Sequence, residues 1–187
     1  TNLGSTRNFE KAVGLCVGDV IALCDQDDGW LPDKLARMAA AFASGPDVGL
    51  VAGDSILAGP DLTPTPHRAW ANIPFTPAMQ RECERGRTTD VLTRYNVVTG
   101  AAAAFRADLR PLVLPFPANW IHDAWVAFLA AAVSACRFLP DPVILYRQHA
   151  TQQIGVSRLT FRRQINSARK MDAAYFTKLA GMFATLG

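Results

Sequence analysis

The sequence predicts an α/β fold, a mostly parallel sheet flanked by helices, on three observations. Val20-Ile21-Ala22-Leu23-Cys24 is a short apolar run, β-branched at its start and bounded by Gly18-Asp19, which marks a buried strand. Residues 32–44 then carry Leu35, Met38, Ala39 and Phe42 at helical spacing. Val48-Gly49-Leu50-Val51-Ala52 is a second buried run, ended by Gly53-Asp54. Strand, helix, strand in that order implies a right-handed crossover in a parallel sheet.

The other elements follow in chain order. Ser5 is placed to cap a helix over 6–16, with Phe9, Ala12, Val13 and Cys16 on one face. Pro32 suits the first turn of the next helix, and Gly45-Pro46-Asp47 ends it. Residues 58–77 hold five of the twelve prolines and no periodicity, so they read as a surface excursion able to serve as a flap. A short helix is expected over 89–95. A strand of small residues follows over 101–105, where another group can approach the backbone closely. Trp120-Ile121-His122-Asp123-Ala124-Trp125 opens a strongly apolar helix reaching about residue 135. Two short strands, 137–139 and 143–146, are expected around Pro140-Asp141-Pro142. Phe161, Ile165, Ala168, Tyr175, Leu179, Met182 and Leu186 then recur at helical spacing among basic residues. The expected division is an α/β domain over 1–156 and a basic amphipathic helix over 157–187.

With 187 residues, half of them hydrophobic, the chain can bury one ordinary core. Its net charge of +3 is unevenly spread: from Arg147 onward seven Lys or Arg face one acid, leaving the body at −3. That suits a cation-binding cleft in the body and an anionic surface for the tail. Cys16, Cys24, Cys83 and Cys136 have no metal-ligand spacing, and because three of them lie in apolar runs they read as buried free thiols of a reducing compartment rather than disulfides. The longest apolar run is too short to span a membrane.

Three carboxylates crowd into Asp25-Gln26-Asp27-Asp28, directly after the first strand, where open α/β sheets place their ligand sites. Two like charges ~5 Å apart repel by roughly 3 kcal/mol at an effective dielectric of ~20. No Lys or Arg occurs between Lys11 and Lys34, so a divalent cation that prefers oxygen is the natural counter-ion. Asp-rich turns before Gly also serve simply as loops and helix caps. An EF-hand is excluded, because Gly29 falls fifth and Ala36 twelfth when Asp25 is counted first.

The order Asn2-Leu3-Gly4, Asn8-Phe9, Gly18-Asp19, Asp25-Gln26-Asp27-Asp28-Gly29-Trp30, Pro32 and Lys34-Leu35 resembles the GT-A glycosyltransferases of inverting family 2, notably the rhamnosyltransferase-like members. Asn96, Gly100, Phe105-Arg106, His122-Asp123, Trp125 and Tyr146-Arg147-Gln148-His149 continue the likeness as far as about Gly155. The resemblance implies a Rossmann-like GT-A fold lacking its first strand–helix–strand. It implies that Asp25 and Asp27 hold Mn²⁺ or Mg²⁺, with His149 completing the metal shell. Asp123 would be the catalytic base, and Asp25, Asn96, Gly100, His122, Trp125 and Arg147 would bind substrate. The implied activity is metal-dependent transfer of a sugar, rhamnose among the candidates, from a nucleotide sugar to a glycan or lipid-linked acceptor. The setting would be bacterial cell-envelope polysaccharide synthesis in the cytoplasm, with peripheral contact at the inner membrane face through the tail. No nucleic acid is expected. A non-catalytic sugar- or partner-binding remnant of such a domain is the alternative. A phosphatase of the haloacid dehalogenase type fits less well, because it wants Thr where Gly29 stands.

Overall fold

The computed structural model describes residues 3–73, 75–148 and 181. Helix α1 (Gly4–Leu15) leads to strand β1 (Val20–Ala22), and the acidic turn then runs into a short strand, β2 (Gly29–Trp30). Helix α2 (Lys34–Ala43) precedes the long strand β3 (Val48–Ala58) and the edge strand β4 (Pro64–Arg68). Three short helices follow: α3 (Ala69–Asn72), α4 (Pro77–Glu84) and α5 (Thr88–Leu92). A 3-10 turn over Gly100–Ala102 enters β5 (Ala103–Arg106), and α6 (Arg110–Val113), α7 (His122–Val133) and β6 (Ala135–Arg147) complete the described chain.

The sheet is mixed, in the order β1-β5-β3-β6-β2, with β4 on the edge of β3 beyond β5. Only β3 and β6 pair in parallel, so the expected mostly parallel sheet is corrected. Strands β1 and β3 do run the same way, but antiparallel β5 lies between them. Its Ala103, Ala104 and Phe105 are almost wholly buried, as a strand covered on both faces requires. Alternation then sorts the core. Leu50, Ala52, Ala103 and Phe105 pack with α7 on one face, whereas Val51 and Ala104 pack with Met38 and Phe42 of α2 on the other.

Three expectations shift in detail, and one helix is additional. Helix α1 begins at Gly4 after Leu3, with Ser5 inside it rather than capping it. Residues 58–77 are not structureless, because β4 pairs with the edge of β3, where its prolines sacrifice no central ladder bond. The two strands expected around Pro140-Asp141-Pro142 are one strand, β6. Its register against β3 slips from Gly53↔Leu139 to Asp54↔Pro142, and this bulge absorbs the prolines. Gly53 permits that slip: a Cβ there would lie 2.6 Å from Val143 Cγ2. Helix α4, whose Thr76 side chain caps Met79 N–H, was not foreseen.

All four cysteines are free; Cys83 and Cys136 are buried, but Cys24 is exposed. No helix among the described residues is long and apolar enough to cross a membrane. The tail over 157–187, apart from Gly181, and His149 lie outside the described residues.

Candidate functional site

The acidic turn is held from both sides. Leu23 N–H donates to Ala103 O at 3.0 Å, and Leu31 N–H donates to Val143 O at 3.0 Å. Between these anchors Arg147, at the end of β6, clamps the turn itself. Its backbone N–H donates to Asp28 Oδ1 at 2.9 Å, and its guanidinium donates to Asp27 O and to Pro60 O, each at 2.6 Å. Arg147 was expected to bind substrate; Nε and Nη1 of its guanidinium fix the shape of the turn.

The carboxylates in this turn are poorly solvated. Burial and the charge of Asp27 push Asp25 above its usual range. Burial pushes Asp28 up to about 6, although the Arg147 N–H opposes it. Asp28 Oδ2 is buried without a hydrogen-bond partner among the described residues.

Asp123 sits in the first turn of α7, and its carboxylate is caged by donors. Ala124 N–H reaches Oδ1 at 2.6 Å, Asn96 Nδ2 reaches Oδ1 at 3.4 Å, and Gly100 N–H reaches Oδ2 at 3.1 Å. Glycine at 100 leaves room for this approach. A Cβ there would lie 3.1 Å from His122 Nε2 and 3.2 Å from Asp123 Cβ. Burial pushes Asp123 up to about 6, the three donors oppose it, and the charge of Asp25 adds to the rise. The two carboxylates therefore share one electrostatic space. Tyr146 reports the same grouping: burial raises its hydroxyl pKa first, and then Asp28, Asp25, Asp27 and Asp123 each raise it further. The structure thus brings Asp25, Asp27, Asn96, Gly100, Asp123 and Arg147 together, with Tyr146 among the carboxylates.

Two expected substrate contacts face the core instead. Trp125 is 6% exposed, and its indole N–H donates to Val113 O at 2.8 Å. His122 stacks on Phe9 with ring centroids 3.7 Å apart, and burial lowers its pKa to about 4, so it is neutral. Both corrections have one cause: α7 is apolar nearly all round, so only Asp123 in its first turn is left for the site. A cavity of about 510 Å³ opens elsewhere, among Asp54, Trp70, Phe75, Gln80 and Pro140, and none of the site residues lines it.

One role was missed. Lys34, quoted only as part of the resemblance, is 1% exposed beneath the turn, and the coupling of its charge to Asp28 and Asp25 corrects the expectation of an acid cluster without a cation. The signal was present in the sequence, because a cation at a helix N-terminus opposes the macrodipole and needs another reason to be there.

Among the described residues no three His, Cys, Asp or Glu side chains form a ready metal cluster. Asp25 and Asp27 nevertheless offer the hard oxygen pair with which Mg²⁺ is commonly held, the remaining positions falling to water and substrate phosphates. The strained acidity of Asp25 and the partnerless Asp28 Oδ2 fit a cation there. In comparisons with known proteins, the family model described as Glycosyl transferase family 2 matches residues 1–108. No curated protein matches the chain.

Proposed function

The chain belongs to glycosyl transferase family 2, whose members move a sugar from a nucleotide-sugar donor to an acceptor, and from that premise we propose that Asp123 is the base of an inverting transfer. The observation that carries this reading is the caged carboxylate of Asp123, raised to about 6 and sensing Asp25 across one shared space. Its raised pKa leaves it ionised at pH 7 yet a better proton acceptor than an ordinary carboxylate. The acceptor hydroxyl gives its proton to Asp123 as its oxygen bonds to the anomeric carbon. The bond from that carbon to the diphosphate breaks, and the electron pair leaves with the diphosphate. Inversion follows from this single in-line displacement.

Asp25 and Asp27 are proposed to hold the cation, Mn²⁺ or Mg²⁺. When bound, it supplies positive charge where the leaving diphosphate becomes more negative. Arg147 keeps the turn in shape and Asn96 with Gly100 keeps the base aimed. Rhamnose as the donor sugar rests on the resemblance of the motifs alone. A lipid-linked acceptor at the inner membrane face rests on the basic tail from Arg158 onward.

Thermal shift with a panel of nucleotide sugars and free nucleoside diphosphates, with and without Mn²⁺, tests the donor half of the proposal. Binding at 100 times Kd stabilises by about 2.7 kcal/mol, a readily visible shift. The expected result is stabilisation that needs both nucleotide and metal and is lost in Asp27→Asn. Stabilisation by nucleotide unaffected by chelator would refute the metal assignment.

A further inference from the structure

Lys34 is the first residue of α2, and its whole side chain is buried between the two halves of the site. Its ammonium donates to Ala101 O at 2.6 Å and to Leu23 O at 3.4 Å, and it lies 3.8 Å from the centroid of the Trp30 ring. Those contacts use the donor capacity of one ammonium, which has three N–H groups. Leu23 stands two residues before Asp25. Ala101 follows Gly100, whose N–H donates to Asp123 Oδ2 at 3.1 Å. One buried cation is therefore tied both to the strand end that carries the acidic turn and to the turn that aims the base.

We propose that Lys34 is a positioning residue that fixes the distance between the Asp25–Asp28 turn and Asp123. The inference rests on the reading of Asp123 as the base. Helix stability does not explain the residue, because a cation at the first position of a helix opposes the dipole, and burial opposes its charge. Substrate contact does not explain it either, since the ammonium is occupied by the two carbonyls and the ring. Hydrogen bonds from a charged donor are the stronger kind, and losing one partner leaves buried carbonyls unpaired. Both tethers should fail together when the ammonium is removed.

Hydrogen exchange on the full chain tests this without any substrate. In Lys34→Met, amides of residues 23–28 and 99–103 should exchange at least about tenfold faster, while Leu50 to Ala52 in β3 stay protected. Equal loosening of β3, or loosening of only one of the two segments, would overturn the proposal. Turnover gives the second readout. Lys34→Met should lower kcat at least about tenfold in the otherwise native enzyme, but by less than about threefold in an Asp123→Asn background, because both changes act through the same base. Additive losses would contradict it. If Lys34→Met does not fold, the native protein still decides. At pH 6 the Lys34 ammonium should give a ¹⁵N resonance protected from water and coupled to the Ala101 carbonyl carbon, and a freely exchanging ammonium would refute the tether. A native protein that transfers no sugar would sink the functional reading while leaving the exchange result intact.

Discussion

Gly100→Ala isolates the aiming of the base from its chemistry. The added methyl would stand 3.1 Å from His122 Nε2, 3.2 Å from Asp123 Cβ and 3.4 Å from Asp123 Oδ2. His122 cannot retreat, because it is 6% exposed and stacked on Phe9. Asp123 therefore has to yield, and the 3.1 Å bond from the residue 100 N–H to Oδ2 lengthens. Overpacking of this kind costs about 1–3 kcal/mol, and a weakened bond to a charged acceptor adds on the order of 1 kcal/mol to the loss in the site. Part of the stability loss is offset by the lower chain entropy of alanine in the unfolded state, about 0.4–1 kcal/mol. The expected outcome is a fall in melting temperature of a few degrees and a drop in kcat on the order of fivefold. Binding of a nucleoside diphosphate with Mn²⁺ should be unchanged. Losing a donor that lowers the Asp123 pKa should also move the ascending limb of the kcat–pH profile to higher pH. Native turnover with an unmoved pH profile in a folded Gly100→Ala protein would refute the reasoning.

Two further outcomes are expected. Arg147→Met removes the bonds to Asp27 O and Pro60 O but keeps the backbone bond to Asp28; calorimetry should show nucleoside diphosphate and Mn²⁺ binding weakened about tenfold, with kcat at saturation nearly kept. His122 is held near 4 against an ordinary value of 6.5, so the unfolded chain binds more protons between those values and the His122 contribution falls as pH drops through that window. Asp28 and Asp123, both raised to about 6, act in the opposite direction, so the comparison must be with a variant. His122→Phe should gain up to about 3 kcal/mol relative to the native protein between pH 6.5 and 4 in denaturant titrations, and a constant difference would contradict the buried neutral imidazole.

The sequence made the alternating core, the acidic turn and the start of α7 legible because each is a local pattern. Val48 to Ala52 announce their burial as an apolar run, and Met38 with Phe42 do so by helical spacing, whereas Val20, Leu35 and Ala39, read the same way, are exposed because they lie on the outer faces of β1 and α2. The antiparallel insertion of β5 is not local: Ala101 to Phe105 reads as a strand but carries no sign of which neighbours it will join. The continuity of β6 through Pro140 and Pro142 was hidden for a similar reason, since it depends on a slip against Gly53 on another strand. In the site, carboxylates were readable because unpaired acids after a strand demand an explanation. The structural roles of Arg147 and Lys34 were not legible because their partners are backbone carbonyls at sequence separations of 11 to 120 residues, and a carbonyl leaves no mark in the sequence.

Asp123→Asn tests the central claim most directly, because it replaces the base by a near-isostere. The measurement is turnover with a saturating donor, set beside the affinity for a nucleoside diphosphate and Mn²⁺. Turnover should fall at least ~10²-fold, the ordinary contribution of a positioned base, while the affinity stays within about twofold. Retained turnover, or lost donor binding with turnover kept, would contradict the assignment.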